Sequence, residues 1–166
     1  MQGEGPLLTI AEIAVSVAGF SSVVIAVRGS GPSAWSPQDR VGLGTILGAS
    51  VGTLVLSLLP FPLAYLGWPP ERVWHVVDAI FGCVILLSVG FLAFSATKRA
   101  VTPRTPRVFW LFTSSGFLLG GLLLASAAGL IAPSGPSLLL FGLIWSLAAA
   151  IAQLTTFVLV IWSGRT

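Results

Sequence analysis

The chain has 166 residues, 55% of them hydrophobic and 8% charged, with a net charge of +3 and a mean hydropathy of +1.00. Soluble domains carry about a quarter charged residues, so this composition excludes an ordinary water-soluble fold and leaves no length for a soluble catalytic domain. In a soluble protein the positive balance would suggest nucleic acid. Here it sits at the ends of apolar segments, where it sets topology and meets anionic lipid headgroups, and no nucleic-acid partner is expected.

Five apolar stretches follow one another at 7–27, 41–67, 72–96, 108–132 and 137–162. Each meets the ~20 residues a helix needs to cross a hydrocarbon core of roughly 30 Å. The first opens after Met1–Pro6, which holds Glu4 but no Lys or Arg, and it is closed by Arg28. A secretory signal begins with positive charge, so this stretch is read as an uncleaved span. The turn-rich Gly29-Ser30-Gly31-Pro32-Ser33 leads through Trp35 to Asp39-Arg40 and the second stretch.

In the second stretch Gly44, Gly48 and Gly52 recur at four-residue intervals, a row that lets another helix approach closely. Pro60 and Pro62 then remove backbone donors and crowd the preceding turn, so the helix is expected to kink or loosen near Pro60. The third stretch starts near Arg72 and ends before Lys98, Arg99, Arg104 and Arg107, the longest basic connection. The fourth carries Gly116 and Gly120, and separately Gly121, Ala125 and Gly129, again at packing intervals. The fifth carries Gly142, Ser146 and Ala150, then Gln153 as an interhelical hydrogen-bond candidate.

Seven basic residues, Arg28, Arg40, Lys98, Arg99, Arg104, Arg107 and Arg165, fall in alternate connections, and Arg72 alone falls in the opposite set. Basic loops stay in the cytoplasm, which predicts five spans with the N-terminus outside and the C-terminus inside. Trp68 and Trp74 then mark the outer boundary and Trp35, Trp110 and Trp162 the inner one, as interfacial tryptophans do. The expected fold is all-α, a polytopic transmembrane helical bundle forming a single domain over 1–166.

The unusual residues are Glu12, His75 and Asp78, each ionisable and each inside an apolar run. At 1.5 Å per residue, Glu12 lies about 8 Å and Asp78 about 9 Å from the outer ends of their stretches, in one layer. His75 precedes Asp78 by three positions and faces the same way. Such groups are expensive in lipid and normally face protein or a wet cavity. They read either as interhelical hydrogen-bond partners or as a proton, cation or ligand site. One histidine with no cysteine nearby makes a poor transition-metal set, and neither metal nor cofactor is expected.

No metalloprotease, hydrolase-elbow or phosphate-loop motif occurs, Asp78 is the sole aspartate in a span, and Cys83 is the sole cysteine. The chain therefore reads as a non-enzymatic accessory or assembly component whose partners are the bilayer and a membrane protein or a second copy. The alternative is a small proton- or solute-handling transporter using the outer-leaflet carboxylates.

The segment Ala11-Glu12-Ile13-Ala14-Val15-Ser16-Val17-Ala18-Gly19-Phe20, with Trp35 and Asp39-Arg40 after it, resembles the opening of small bacterial multi-pass inner-membrane proteins of unassigned activity. The likeness covers the first helix and the loop after it. It implies a bacterial inner-membrane location and draws attention to Glu12 and Gly19 without implying a role for either.

Overall fold

The computed structural model describes residues 3–27, 37–97, 106–131 and 135–162. Of these, 92% are helical, and no strand occurs among them. Six helices follow in order: α1 Glu4–Val27, α2 Pro37–Leu58, α3 Pro60–Tyr65, α4 Pro70–Thr97, α5 Pro106–Ala127 and α6 Pro136–Trp162.

Proline opens every helix after α1. Its fixed φ suits the first helical position, and its missing N–H would have no intrahelical partner there. At the start of α4 the Pro69 carbonyl accepts from the Arg72 and Val73 amides at 3.0 and 3.2 Å. Glu71 and, in α1, Glu4 lie in first turns, where a negative charge meets the positive end of the helix dipole.

The second apolar stretch breaks where the prolines predict. Pro60 has no N–H to offer Leu56, and its ring crowds that carbonyl. α2 therefore stops at Leu58 and α3 restarts at Pro60, while Leu59 keeps right-handed helical angles (φ −57°, ψ −36°), so the interruption is brief. α3 closes at Gly67 (φ +76°), whose amide donates to Ala64 at 3.0 Å. Beyond it the Arg72 guanidinium lies 5.2 Å from the Trp68 ring centroid, a cation–π contact.

In the fourth stretch the helix stops before the apolar run does. α5 ends at Ala127 because Gly129 turns left-handed (φ +70°), with Gly129 donating to Ser126 and Leu130 to Ala125, both at 2.9 Å. These two bonds make a Schellman cap. Gly129 thus terminates the helix and is no part of a packing row.

The chain forms two compact units, one of Met1–Glu4 and Leu58–Gly142, the other of Gly5–Ser57 and Leu143–Thr166. In the first, α4 and α5 run antiparallel with Val77, Phe81, Ile85, Leu119 and Leu123 buried along them. In the second, Leu7, Ala14 and Val17 of α1, Leu43, Ile46 and Leu56 of α2, and Leu143, Leu147 and Ala150 of α6 are buried, at the three- and four-residue spacing of one helix face.

Among the described residues, five helical segments are long and apolar enough to cross a membrane: Glu4–Val24, Arg40–Tyr65, Pro70–Thr97, Val108–Ala127 and Pro136–Leu159. No more than 33% of any of their most apolar windows is buried. The rest includes Phe20, Leu87, Phe91, Leu111, Leu118 and Leu159, each at least 60% exposed. Water would not tolerate so much contiguous apolar surface, and lipid would.

Candidate functional site

In the first unit a polar layer interrupts an apolar interface. Asp78 on α4 is fully buried, and Ser126 on α5 donates to its Oδ2 at 2.8 Å. The other carboxylate oxygen, Oδ1, is buried without a partner among the described residues. His75, one turn earlier on α4 and half-buried, is near enough to act electrostatically on Asp78. The α4 turn that carries them follows from the sequence: a three-residue step puts both side chains on one face.

Glycine sets how closely this interface packs. One turn beyond Asp78, Gly82 lies against Gly120. A Cβ on Gly82 would meet the Gly120 carbonyl oxygen at 3.1 Å and Leu124 at 3.0 Å. A Cβ on Gly120 would come within 2.8 Å of Leu86 Cγ and 3.3 Å of the Gly82 oxygen. Backbone faces backbone at this crossing, as at small-residue interfaces in membranes. The same crossing brings Ser126 opposite Asp78. Gly142, at the edge of this unit, similarly receives the Phe81 ring, whose Cε1 would stand 2.7 Å from an added Cβ.

The second unit has a hydroxyl-rich core. Ser21 on α1 and Ser50, Thr53 and Ser57 on α2 are buried. Ser21 donates to Val17 at 2.8 Å, and Ser50 and Ser57 donate to Ile46 and Leu54, each at 2.9 Å. Such back-bonding lets hydroxyls sit inside apolar surroundings. Thr53 Oγ1 is buried and has no partner among the described residues. On α5 and α6, Thr113, Ser114, Ser115, Thr155 and Thr156 likewise donate to carbonyls of their own helices.

The predicted residues fall into separate settings. His75 and Asp78 come together, while Glu12 belongs to the other unit, with an exposed side chain on α1. Gly120 lies against Leu86 and the Gly82 carbonyl oxygen, Gly116 is buried, and Gln153 is half-buried on α6. Gly44, Gly48 and Gly52 take no part in packing within the described chain: a Cβ on any of them meets nothing within 4 Å. The reason is rotational. At about 100° per residue, Gly44 and Ile46 point to opposite sides of α2. The core takes the Ile46–Ser50–Thr53–Ser57 side and leaves the glycine row outward.

Ser126, Gly82, Ser50 and Thr53 were not singled out from sequence. The hydroxyls of α2 do carry a signal, because Ser50, Thr53 and Ser57 follow one another at steps of three and four. The connections that hold Arg28, Lys98, Arg99 and Arg104 lie outside the described residues. No group of three His, Cys, Asp or Glu side chains that could hold a metal ion occurs among the described residues.

An all-α chain with five lipid-length apolar segments and a glycine-locked helix pair is a multi-pass membrane protein. Comparison with protein-family models, with curated proteins and with solved structures finds no match.

Proposed function

We propose that this chain is a non-enzymatic accessory or assembly component of a bacterial inner membrane, with its N-terminus outside and its C-terminus in the cytoplasm. The seven-to-one division of basic residues supports the orientation, and the Ala11–Phe20 segment supports the bacterial setting. The observation that carries the assembly reading is the outward glycine row of α2. Gly44 and Gly48 are exposed and Gly52 is half-exposed, on a helix whose opposite side supplies the core. In lipid, where apolar burial gives helices no drive to associate, such a row gains by close packing against another helix.

Gly48→Leu tests it. In protein extracted from native membranes with mild detergent, the substitution is expected to reduce the mass of the complex while leaving helicity unchanged. An unchanged complex of unchanged composition would contradict the assembly reading.

A second reading, proton or solute handling, is favoured by one observation: the buried Asp78 Oδ1 without a partner among the described residues, beside His75. Flux in liposomes that is abolished by Asp78→Asn would move the assignment to a transporter.

A further inference from the structure

Glu12 sits eight residues into α1, about 12 Å along the axis from Glu4. That is inside the hydrocarbon for a helix of this length, and its short side chain cannot reach the headgroups as Lys or Arg would. It is exposed, and its carboxylate has no partner among the described residues. An ionisable group facing lipid at this depth is costly and calls for an opposite charge or a hydrogen-bond donor.

The surface around Glu12 is built of small groups. Gly5, Thr9, Ser16 and Gly19 share its side of α1 at steps of four and three, and all are exposed. Added Cβ atoms at Gly5 and Gly19 would meet nothing within 4 Å. The Thr9 and Ser16 hydroxyls already donate to the Gly5 and Glu12 carbonyls, at 3.1 and 2.9 Å, so their protons are not available to the carboxylate. A donor has to come from outside α1.

We propose that Glu12 docks a transmembrane helix of a different protein, one that carries a lysine or arginine within its apolar span at the depth of Glu12. A second copy fits less well. Two chains of the same orientation related by a two-fold axis along the membrane normal would set Glu12 against Glu12, which supplies no opposite charge. Nor does this chain carry a Lys or Arg in the interior of a span, since Arg40 and Arg72 lie at span ends. Lipid tails offer no donor at all. This inference rests on the assembly reading but uses another helix and another chemistry.

The test uses full-length protein in phosphatidylcholine vesicles and synthetic Leu/Ala helices of about 20 residues, with either one Lys or one Leu at the depth of Glu12. Energy transfer between labelled protein and labelled helix reads the association. The Lys helix is expected to bind about tenfold more tightly than the Leu helix, and Glu12→Gln is expected to abolish the difference. Glu12→Asp, which shortens the side chain but keeps the charge, should retain part of it. Equal affinity for the two helices, or a preference that survives Glu12→Gln, would overturn the proposal. Self-association of the protein that is lost in Glu12→Gln would also overturn it, by making a second copy the occupant. If the Lys preference is absent while Gly48→Leu still shrinks the native complex, the chemistry assigned to Glu12 fails and the assembly reading stands.

Discussion

Gly120→Val should destabilise the protein by about 1–3 kcal/mol, the usual cost of forcing extra carbon into a packed interface. Even the first added carbon would come within 2.8 Å of Leu86 Cγ and 3.3 Å of the Gly82 carbonyl oxygen. Leu86 could rotate away, but the Gly82 oxygen belongs to the α4 backbone, so relief requires the two helices to separate. Separation also stretches the Ser126–Asp78 bond, one turn away and 2.8 Å long. Gly82→Val should behave similarly, since its added carbon would face the Gly120 oxygen at 3.1 Å. Gly44→Val is the control, because an added carbon there meets nothing within 4 Å, and its effect on the isolated chain should stay within about 0.5 kcal/mol. Unfolding by SDS in mixed micelles, followed by loss of helical ellipticity, measures all three. Equal stability of Gly120→Val and the unsubstituted protein would contradict the glycine crossing.

Ser126→Ala is the second large effect. It removes the donor to Asp78 Oδ2 and leaves both oxygens of a buried carboxyl group unpartnered among the described residues. An orphaned buried acceptor costs about 1–3 kcal/mol in soluble proteins, whereas interhelical hydrogen bonds in membranes average about 0.6 and reach about 1.7. A loss of about 1–2 kcal/mol is expected, read by the same SDS titration. Asp78→Asn keeps an acceptor for Ser126 and should cost less. The double substitution Asp78→Leu with Ser126→Ala replaces both partners with apolar groups and should be close to neutral in stability. That double variant also separates the two functions considered for this layer. If Asp78 only holds α4 against α5, the variant keeps its biological activity. If the unpartnered oxygen handles protons or solute, activity is lost while the fold stands.

The spans were legible from sequence because lipid imposes a length and forbids charge, and both constraints are written directly into residue order. The break at Pro60 was legible for a similarly local reason: proline removes a donor from its own helix whatever surrounds it. Asp78 stood out as an ionisable residue in an apolar run, yet its partner did not. Which α5 residue faces Asp78 depends on the rotation and register of two helices, and that register is set at Gly82 and Gly120. Gly120 was marked by Gly116 four residues earlier. Gly82 was not, because its four-residue neighbours are Asp78 and Leu86, neither of them small.

The row at Gly44, Gly48 and Gly52 illustrates the opposite difficulty. Its spacing marks a face that another helix could approach closely, but spacing says nothing about whether the approaching helix belongs to the same molecule. No charge marks either side of α2 beyond its first turn, and the hydroxyls of Ser50, Thr53 and Ser57 bond or bury within the core, so hydropathy alone does not show which side the core will take. The core takes the side with Ile46, Ser50, Thr53 and Ser57, and the glycines face outward. Glu12 shows the same ambiguity. Depth along a helix placed it in a layer with Asp78, while the rotation of α1, which leaves its side chain exposed, was not readable from depth.

All of these readings depend on lipid surrounding the five apolar segments, an odd number of crossings. Reporters fused to the two ends of the chain, one active only in the cytoplasm and one only outside it, test this most directly. The account predicts that the N-terminal fusion reports the outside and the C-terminal fusion the cytoplasm. Both ends reporting the same compartment would contradict it, because an even number of crossings would leave one of the five segments outside the bilayer.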